Sequence, residues 1–242
     1  MPNHCVDLSV VIPAYNESRR LPPYLAEVRS CLELRYGNRL EVIVVDDGSR
    51  DSLEQALSQA VAEWPSFRFL RHAENQGKGA AVRTGVLAAR GELVLFADAD
   101  GATPIEEEHR LAEAIRGGAD IAIGSRLATG LGVRRSRRWA RGLAGRLFAV
   151  VARGLVGLSI RDTQCGFKMF RAAAAQRLFA MVCEPRYLFD LEVLALASRL
   201  GYTIAEVPIS WTEIPGGHLS LARELPKVVC GLWRLRQRLR EA

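Results

Sequence analysis

The sequence predicts an α/β fold, a mainly parallel sheet with helices on both of its faces. Through the first half, short β-branched runs alternate with longer stretches of helical period, the signature of a parallel sheet covered by helices. These runs are nearly continuous in apolar character, which means that both faces of each strand are covered. A chain of 242 residues, 49% of them hydrophobic, is also long enough to bury one full core without disulfide or metal staples.

The strands follow in order. Residues 8–13 form the first, 41–46 the second, 67–71 the third, 92–97 the fourth and 120–124 the fifth. Helix starts between them are marked by local chemistry. Ser52 with Gln55, and Thr103 with Glu106, have capping-box spacing, and Pro104 falls at a first helical position, where its missing N–H costs nothing. Each strand therefore ends in a polar loop that leads into a helix. In an open parallel sheet the ligand crevice lies at the carboxyl ends of the strands, so these loops are expected to converge on one site.

The second half is less regular. Residues 134–158 form a basic amphipathic pattern, with Arg135, Arg146 and Arg153 on one face and Trp139, Leu143, Leu147 and Val150 on another. Residues 220–240 repeat it, with Leu225, Val228, Val229, Leu232, Leu235 and Leu239 at helical spacing and Arg234, Arg236, Arg238 and Arg240 near the end. C-terminal amphipathic helices are expected. No repeat or low-complexity linker interrupts the chain, so residues 1–242 are read as a single domain.

Composition narrows the class further. Cys5, Cys31, Cys165, Cys183 and Cys230 are scattered and form no CxxC or CxxH pair, which suits a reducing compartment and gives no zinc site. The first strand begins at Leu8 without a basic start, an apolar core or a cleavage site, so a cytoplasmic location is expected. The longest apolar stretch, 143–158, is broken by Arg146 and Arg153 and is shorter than the roughly 20 residues of a membrane span. The net charge of +6 averages two unlike halves. Residues 1–125 carry 13 Lys and Arg against 19 Asp and Glu, whereas residues 126–242 carry 20 against 8. An acidic half suited to collect a metal adjoins a basic half suited to collect anions.

Four strand ends carry polar clusters: Pro13-Ala14-Tyr15-Asn16-Glu17, Asp46-Asp47-Gly48-Ser49, Asn75-Gln76-Gly77-Lys78-Gly79 and Asp98-Ala99-Asp100-Gly101. Each alone is an ordinary turn or loop. Their joint occurrence at successive strand ends points to a ligand site. Asp98 and Asp100 are two carboxylates of the kind that hold a hard divalent cation while it also binds phosphate oxygens. The Gly77-Lys78-Gly79 turn lacks the preceding glycine and following Ser or Thr of a Walker A loop.

In this order and spacing the clusters resemble the inverting nucleotide-sugar glycosyltransferases of family 2, which have the GT-A (Rossmann-like) fold. The resemblance implies Mg²⁺ or Mn²⁺ as cofactor, held by Asp98 and Asp100, with Asp100 as direct ligand and Asp98 on the ribose or the metal. It places Pro13, Ala14, Tyr15, Glu17 and Asp47 at base and ribose. Lys78 and Ala99 lie beside the nucleotide, and Arg126, at the end of the fifth strand, on phosphate. By the same resemblance, residues 1–125 are the nucleotide-sugar half and 126–242 the acceptor and membrane-surface half.

Arg161-Asp162-Thr163-Gln164-Cys165-Gly166-Phe167-Lys168, Phe189-Asp190-Leu191-Glu192 and Trp211-Thr212-Glu213-Ile214-Pro215-Gly216-Gly217-His218 resemble the branch that transfers a sugar to polyprenyl phosphate, the dolichyl-phosphate glucosyl- and mannosyltransferases. The implied donor is UDP-glucose, with GDP-mannose as the alternative. Asp162, Gln164, Lys168, Asp190 and Glu192 are implied around acceptor phosphate and sugar, with Asp190 counted in the catalytic set beside Asp98, Asp100 and Arg126. His218 is implied in the nucleotide-sugar site, on donor phosphate, at a position where the family often has Lys and this chain has a residue only partly charged at neutral pH. A phosphate monoester acceptor is already ionised near neutral pH and needs orientation and charge screening more than a strong base. His4, His72, His109 and His218 accordingly suggest no Ser/His/Asp constellation. A lipid acceptor is met at the membrane surface, where helices with arginines beside apolar residues lie in the interface, so peripheral contact at the inner face is expected.

Two other readings explain less. A sugar-1-phosphate nucleotidyltransferase would carry a glycine-rich basic loop after the first strand, where this chain has Ala14-Tyr15-Asn16-Glu17. A non-catalytic basic adaptor for membrane or nucleic acid would explain the basic half but leave the strand-end carboxylates without a purpose. No nucleic-acid recognition motif is present, so no such partner is expected.

Overall fold

The computed structural model describes residues 6–130, 132–136 and 160–214, together with 231, 234, 235, 237 and 238. Its centre is a seven-stranded sheet. The expected strands are all present, as β1 (Leu8–Ala14), β2 (Leu40–Asp46), β3 (Phe67–Arg71), β4 (Leu93–Ala97) and β5 (Ile121–Ser125). β7 (Phe167–Arg171) and β8 (Ile204–Pro208) join them from the second half, giving the order β3-β2-β1-β4-β7-β5-β8. All pairings are parallel except those of β7, which runs antiparallel to both β4 and β5. A short parallel pair, β6 (Arg135–Ser136) with β9 (Trp211–Thr212), stands apart.

Strand alternation sorts side chains into two layers. On β1, Leu8, Val10, Ile12 and Ala14 enter one core while Val11 enters the other. On β4, Leu95 and Ala97 face the first core, and Val94 and Phe96 the second. The first layer is closed by α1 (Leu21–Tyr36) and α4 (Glu108–Arg116), whose Val28, Leu32, Leu111 and Ile115 are buried there. The second is closed by α3 (Lys78–Ala88), α5 (Ala172–Met181) and α6 (Phe189–Arg199) through Val82, Phe179 and Leu194. The outer helix α2 (Leu53–Glu63) sends Leu53 and Leu57 into the first core. Helices therefore cover both faces, as the continuous apolar strands require.

Both expected capping boxes differ in detail. At α2 the side chain that takes a backbone N–H is Asp51, whose Oδ1 accepts from Leu53 at 3.3 Å. At the later start, Pro104 is extended (φ −56°, ψ 136°) and sits just outside a 3-10 turn, Ile105–Glu107, with no side-chain cap bond. The tight turn takes up the entry that the capping box was expected to make. No helix among the described residues is long and apolar enough to cross a membrane. Residues 137–159 and 215–230 lie outside the described part, and with them most of the basic amphipathic segment and His218. Of the C-terminal segment, Leu235 is buried in the second core, and Arg238 is paired with Glu184 and Glu192.

Candidate active site

The carboxyl ends of β1, β2 and β4 and the start of α3 enclose a cavity of about 370 Å³. Pro13, Ala14, Tyr15 and Glu17 supply one side; Asp47, Asn75, Gly77 and Lys78 supply the opposite one. A smaller cavity of about 140 Å³ adjoins it, walled by Tyr24, Thr103, Arg126, Gly166, Phe167, Trp211 and Glu213. Asp98 and Asp100 line both, so the carboxylate pair stands where the two spaces meet.

Asp98 is held tightly. Its N–H donates to the Gly166 carbonyl at 2.9 Å, and its Oδ1 accepts from Lys78 Nζ at 2.6 Å. A Cβ on Gly166 would lie 1.9 Å from Asp98 Oδ2, so the carboxylate occupies space that only glycine leaves open. Asp100 Oδ1 accepts from the Ala102 N–H at 3.0 Å. Burial and the neighbouring charge of Asp98 raise the pKa of Asp100 above the usual carboxylate range. Burial pushes Lys78 down, but Asp98 and Asp190 outweigh it and leave its ammonium more basic than usual. Burial also raises the Tyr24 hydroxyl, so it stays neutral beside the two carboxylates.

Asp47 faces the large cavity yet has both carboxylate oxygens occupied. Oδ1 accepts from Gln76 N–H at 2.9 Å and lies 2.8 Å from His72 Nδ1, while Oδ2 accepts from Gly77 N–H at 2.8 Å. His72 Nε2 in turn lies 3.0 Å from Thr84 Oγ1. This carboxylate shapes the Asn75–Lys78 loop from within. Gly77, at φ +111°, makes the close approach there. A Cβ on it would lie 2.5 Å from the Pro185 carbonyl, so its closest neighbour is the chain's own 184–186 segment.

Arg126 lines the small cavity with its guanidinium engaged. Nε and Nη2 donate to the two oxygens of Asp162, each at 2.8 Å, and the guanidinium carbon lies 5.5 Å from the centre of the Trp211 ring. Burial raises the Asp162 carboxyl, but the Arg126 hydrogen bonds and charge overcome this and leave it below the usual range.

None of the five residues expected around the acceptor lines either cavity. Lys168 forms a sealed ion pair with Asp190, their side chains 1% and 4% exposed. Glu192 Oε2 accepts the N–H groups of Cys183 at 3.0 Å and Glu184 at 2.6 Å. Gln164 Nε2 is buried without a partner among the described residues, and Asp162 is committed to Arg126. Arg20, Tyr24, Arg186 and Tyr187, outside the expected set, also line the cavities. Arg20 follows Glu17 by three residues, a spacing that matches their ion pair; nothing in the local pattern around Arg186 marks it.

Residues 9–179 match Glycosyl transferase family 2. A dolichyl-phosphate beta-glucosyltransferase of Trichomonas vaginalis is 37% identical over 96% of this chain and 77% of its own length. Those of Saccharomyces cerevisiae (39%, covering 89% and 70%) and Homo sapiens (36%, covering 95% and 78%) are similar. Among solved structures, glucosyl-3-phosphoglycerate synthase from Mycobacterium tuberculosis in complex with uridine diphosphate superposes with a TM-score of 0.69 at 20% identity, over 96% of this chain and 80% of that one. A Pyrobaculum calidifontis mannosyltransferase in complex with GDP-Man and Mn²⁺ gives 0.60 at 20% identity, over 91% and 60%.

Proposed function

The chain belongs to glycosyl transferase family 2, with its GT-A fold, and on that premise we propose that it transfers glucose from UDP-glucose to a polyprenyl phosphate of the dolichyl type, inverting the anomeric centre. The observation that carries the reading is the meeting of two cavities at Asp98 and Asp100. The larger has room for a nucleotide; the smaller suits a hexose and the approach of its acceptor. The names of the similar relatives support the glucose and the lipid phosphate.

The carboxylate pair fits Mg²⁺ or Mn²⁺. Among the described residues no cluster of three or more His, Cys, Asp or Glu forms an all-protein cage. Two carboxylates that draw further ligands from substrate phosphate are the usual arrangement for such an ion beside a nucleotide. Bound there, the ion would supply positive charge to the departing diphosphate. The chain's own groups do the rest. Lys78 and the Gly166 carbonyl hold Asp98 in place, while the cluster of Pro13, Ala14, Tyr15 and Asp47 surrounds base and ribose. An acceptor phosphate oxygen attacks the sugar C1, the bond from C1 to the diphosphate oxygen breaks, and the nucleoside diphosphate leaves. The nucleophile is already ionised, so no proton has to be removed, and no histidine among the described residues lines either cavity.

The basic half supports peripheral contact with the inner face of a membrane that carries the lipid acceptor. A panel of UDP- and GDP-sugars, assayed with a short polyprenyl phosphate and Mg²⁺ or Mn²⁺, tests the reaction. Glucosyl lipid from UDP-glucose is expected; mannosyl lipid from GDP-mannose alone would reassign the donor. Asp100→Ala should abolish transfer, and retained turnover at ordinary metal concentration would remove Asp100 from the metal site.

A further inference from the structure

One wall of the larger cavity is made by the segment 183–187, which contributes Arg186 and Tyr187. Four carboxylates, Glu17, Asp47, Asp98 and Asp100, line this cavity with three cations, Arg20, Lys78 and Arg186. Two of the cations are committed. Arg20 donates to Glu17 through Nε at 2.7 Å and through a second nitrogen, and Lys78 pairs with Asp98 at 2.6 Å. Arg186 makes no ion pair among the described residues. A cation with no ion pair to break keeps its charge for an arriving anion, and a guanidinium fork matches phosphate oxygens in pairs.

The backbone that carries Arg186 is clamped. Gly77 and Gly79 let it dock on the start of α3, since a Cβ on either would lie 2.5 Å from the carbonyl of Pro185 or Glu184 respectively. The Ala80 N–H donates to the Pro185 carbonyl at 3.0 Å. From the other side, buried Glu192 takes the N–H groups of Cys183 and Glu184, and Arg238 braces Glu192 at 3.1 Å and Glu184 at 3.5 Å. A fixed main chain thus presents an exposed arginine, without an ion pair among the described residues, beside Gly77 and Lys78.

We propose that Arg186 binds the diphosphate of the nucleotide-sugar donor, and that Glu192 is the positioning residue that holds its segment against the cavity. This rests on the reading of the larger cavity as the donor site. It also assigns Glu192 to the donor side, by way of the segment it fixes.

Calorimetric titration of the full chain with UDP and Mg²⁺, and separately with uridine, tests it in wild type, Arg186→Ala, Arg186→Lys and Glu192→Gln. Arg186→Ala is expected to weaken UDP about tenfold or more, the scale of losing a charged hydrogen bond. Uridine should be unaffected, and Arg186→Lys should recover part of the loss. The losses in Arg186→Ala and Glu192→Gln should fail to add in the double variant, because both act through one contact. Unchanged UDP affinity in Arg186→Ala overturns the proposal, as does a raised KM for polyprenyl phosphate with donor affinity intact, which would move the arginine to the acceptor. Additive losses would remove Glu192 from its positioning role. A wild type that binds neither UDP nor GDP would refute the donor reading itself, and this inference with it.

Discussion

At the scale of single residues, Asp98 depends on the glycine beside it. Its carboxylate sits where a side chain on Gly166 would be, with Lys78 on one oxygen. Gly166→Ala is therefore expected to turn the Asp98 carboxylate away. Metal-dependent nucleotide affinity should fall by about tenfold, the worth of a charged contact, while circular dichroism stays unchanged. Undiminished affinity would show that Asp98 has room to move. Asp100 makes a second case, because burial and Asp98 hold its pKa high. A carboxyl with a raised folded pKa costs stability wherever it is ionised; the cost shrinks once pH falls below that pKa and is gone below the unfolded pKa. Metal-free Asp100→Asn should therefore melt a few degrees above wild type at pH 7 and lose this advantage in acid, while lacking transfer activity. A lower Tm at pH 7 would contradict the charge repulsion.

At the scale of elements, β7 makes the site. It enters antiparallel between β4 and β5 and sets Gly166 and Phe167 opposite the Asp98 end of β4, with Ala97 in register with Phe167. The same strand carries Lys168 into the opposite layer, where it pairs with Asp190 of α6 and lies 5.8 Å from the centre of the Phe96 ring. Breaking a buried pair leaves one charge unpaired. Lys168→Met should cost about 3–5 kcal/mol in denaturant unfolding, and Lys168→Met with Asp190→Leu should recover most of it. A single variant as stable as wild type would show that Asp190 is neutral or hydrated in the fold.

At the scale of the whole molecule, the acidic first half and the basic second half divide the charge. The anion-collecting part is expected to attach to membranes electrostatically. Flotation with vesicles containing anionic lipid should show binding that falls as salt rises through physiological strength, and a variant with Arg137, Arg138 and Arg141 changed to Gln should float less. Binding indifferent to salt would assign the contact to apolar insertion instead. Deleting residues 220–242 is a poor probe of this, because Leu235 is buried and Arg238 braces Glu192.

Five strands, the helices on both faces and the carboxylate pair were legible in the chain because each is a local pattern: apolar period, turn chemistry, and residue types grouped at strand ends. The strand β7 was not: its residues 167–171 have the same mixed pattern as β3, but they lie in the second half, outside the regular alternation of strand and helix that marks the first five. Only pairing between β4 and β5 makes a strand of them. The same distinction divides the site. The residues expected at the donor, Pro13, Ala14, Tyr15, Glu17, Asp47, Lys78, Asp98 and Asp100, follow strand ends and gather in one cavity. The residues expected at the acceptor lie in loops, on α6 and on β7, and their partners are distant in sequence: Asp162 turns to Arg126, Lys168 to Asp190, and Glu192 to the 183–184 backbone. By itself the sequence determined the fold class and the carboxylate pair, because short-range periodicity and spacing encode both. Tertiary structure alone decided which charges stay free to meet substrate, because a charge is neutralised by whatever the fold brings beside it.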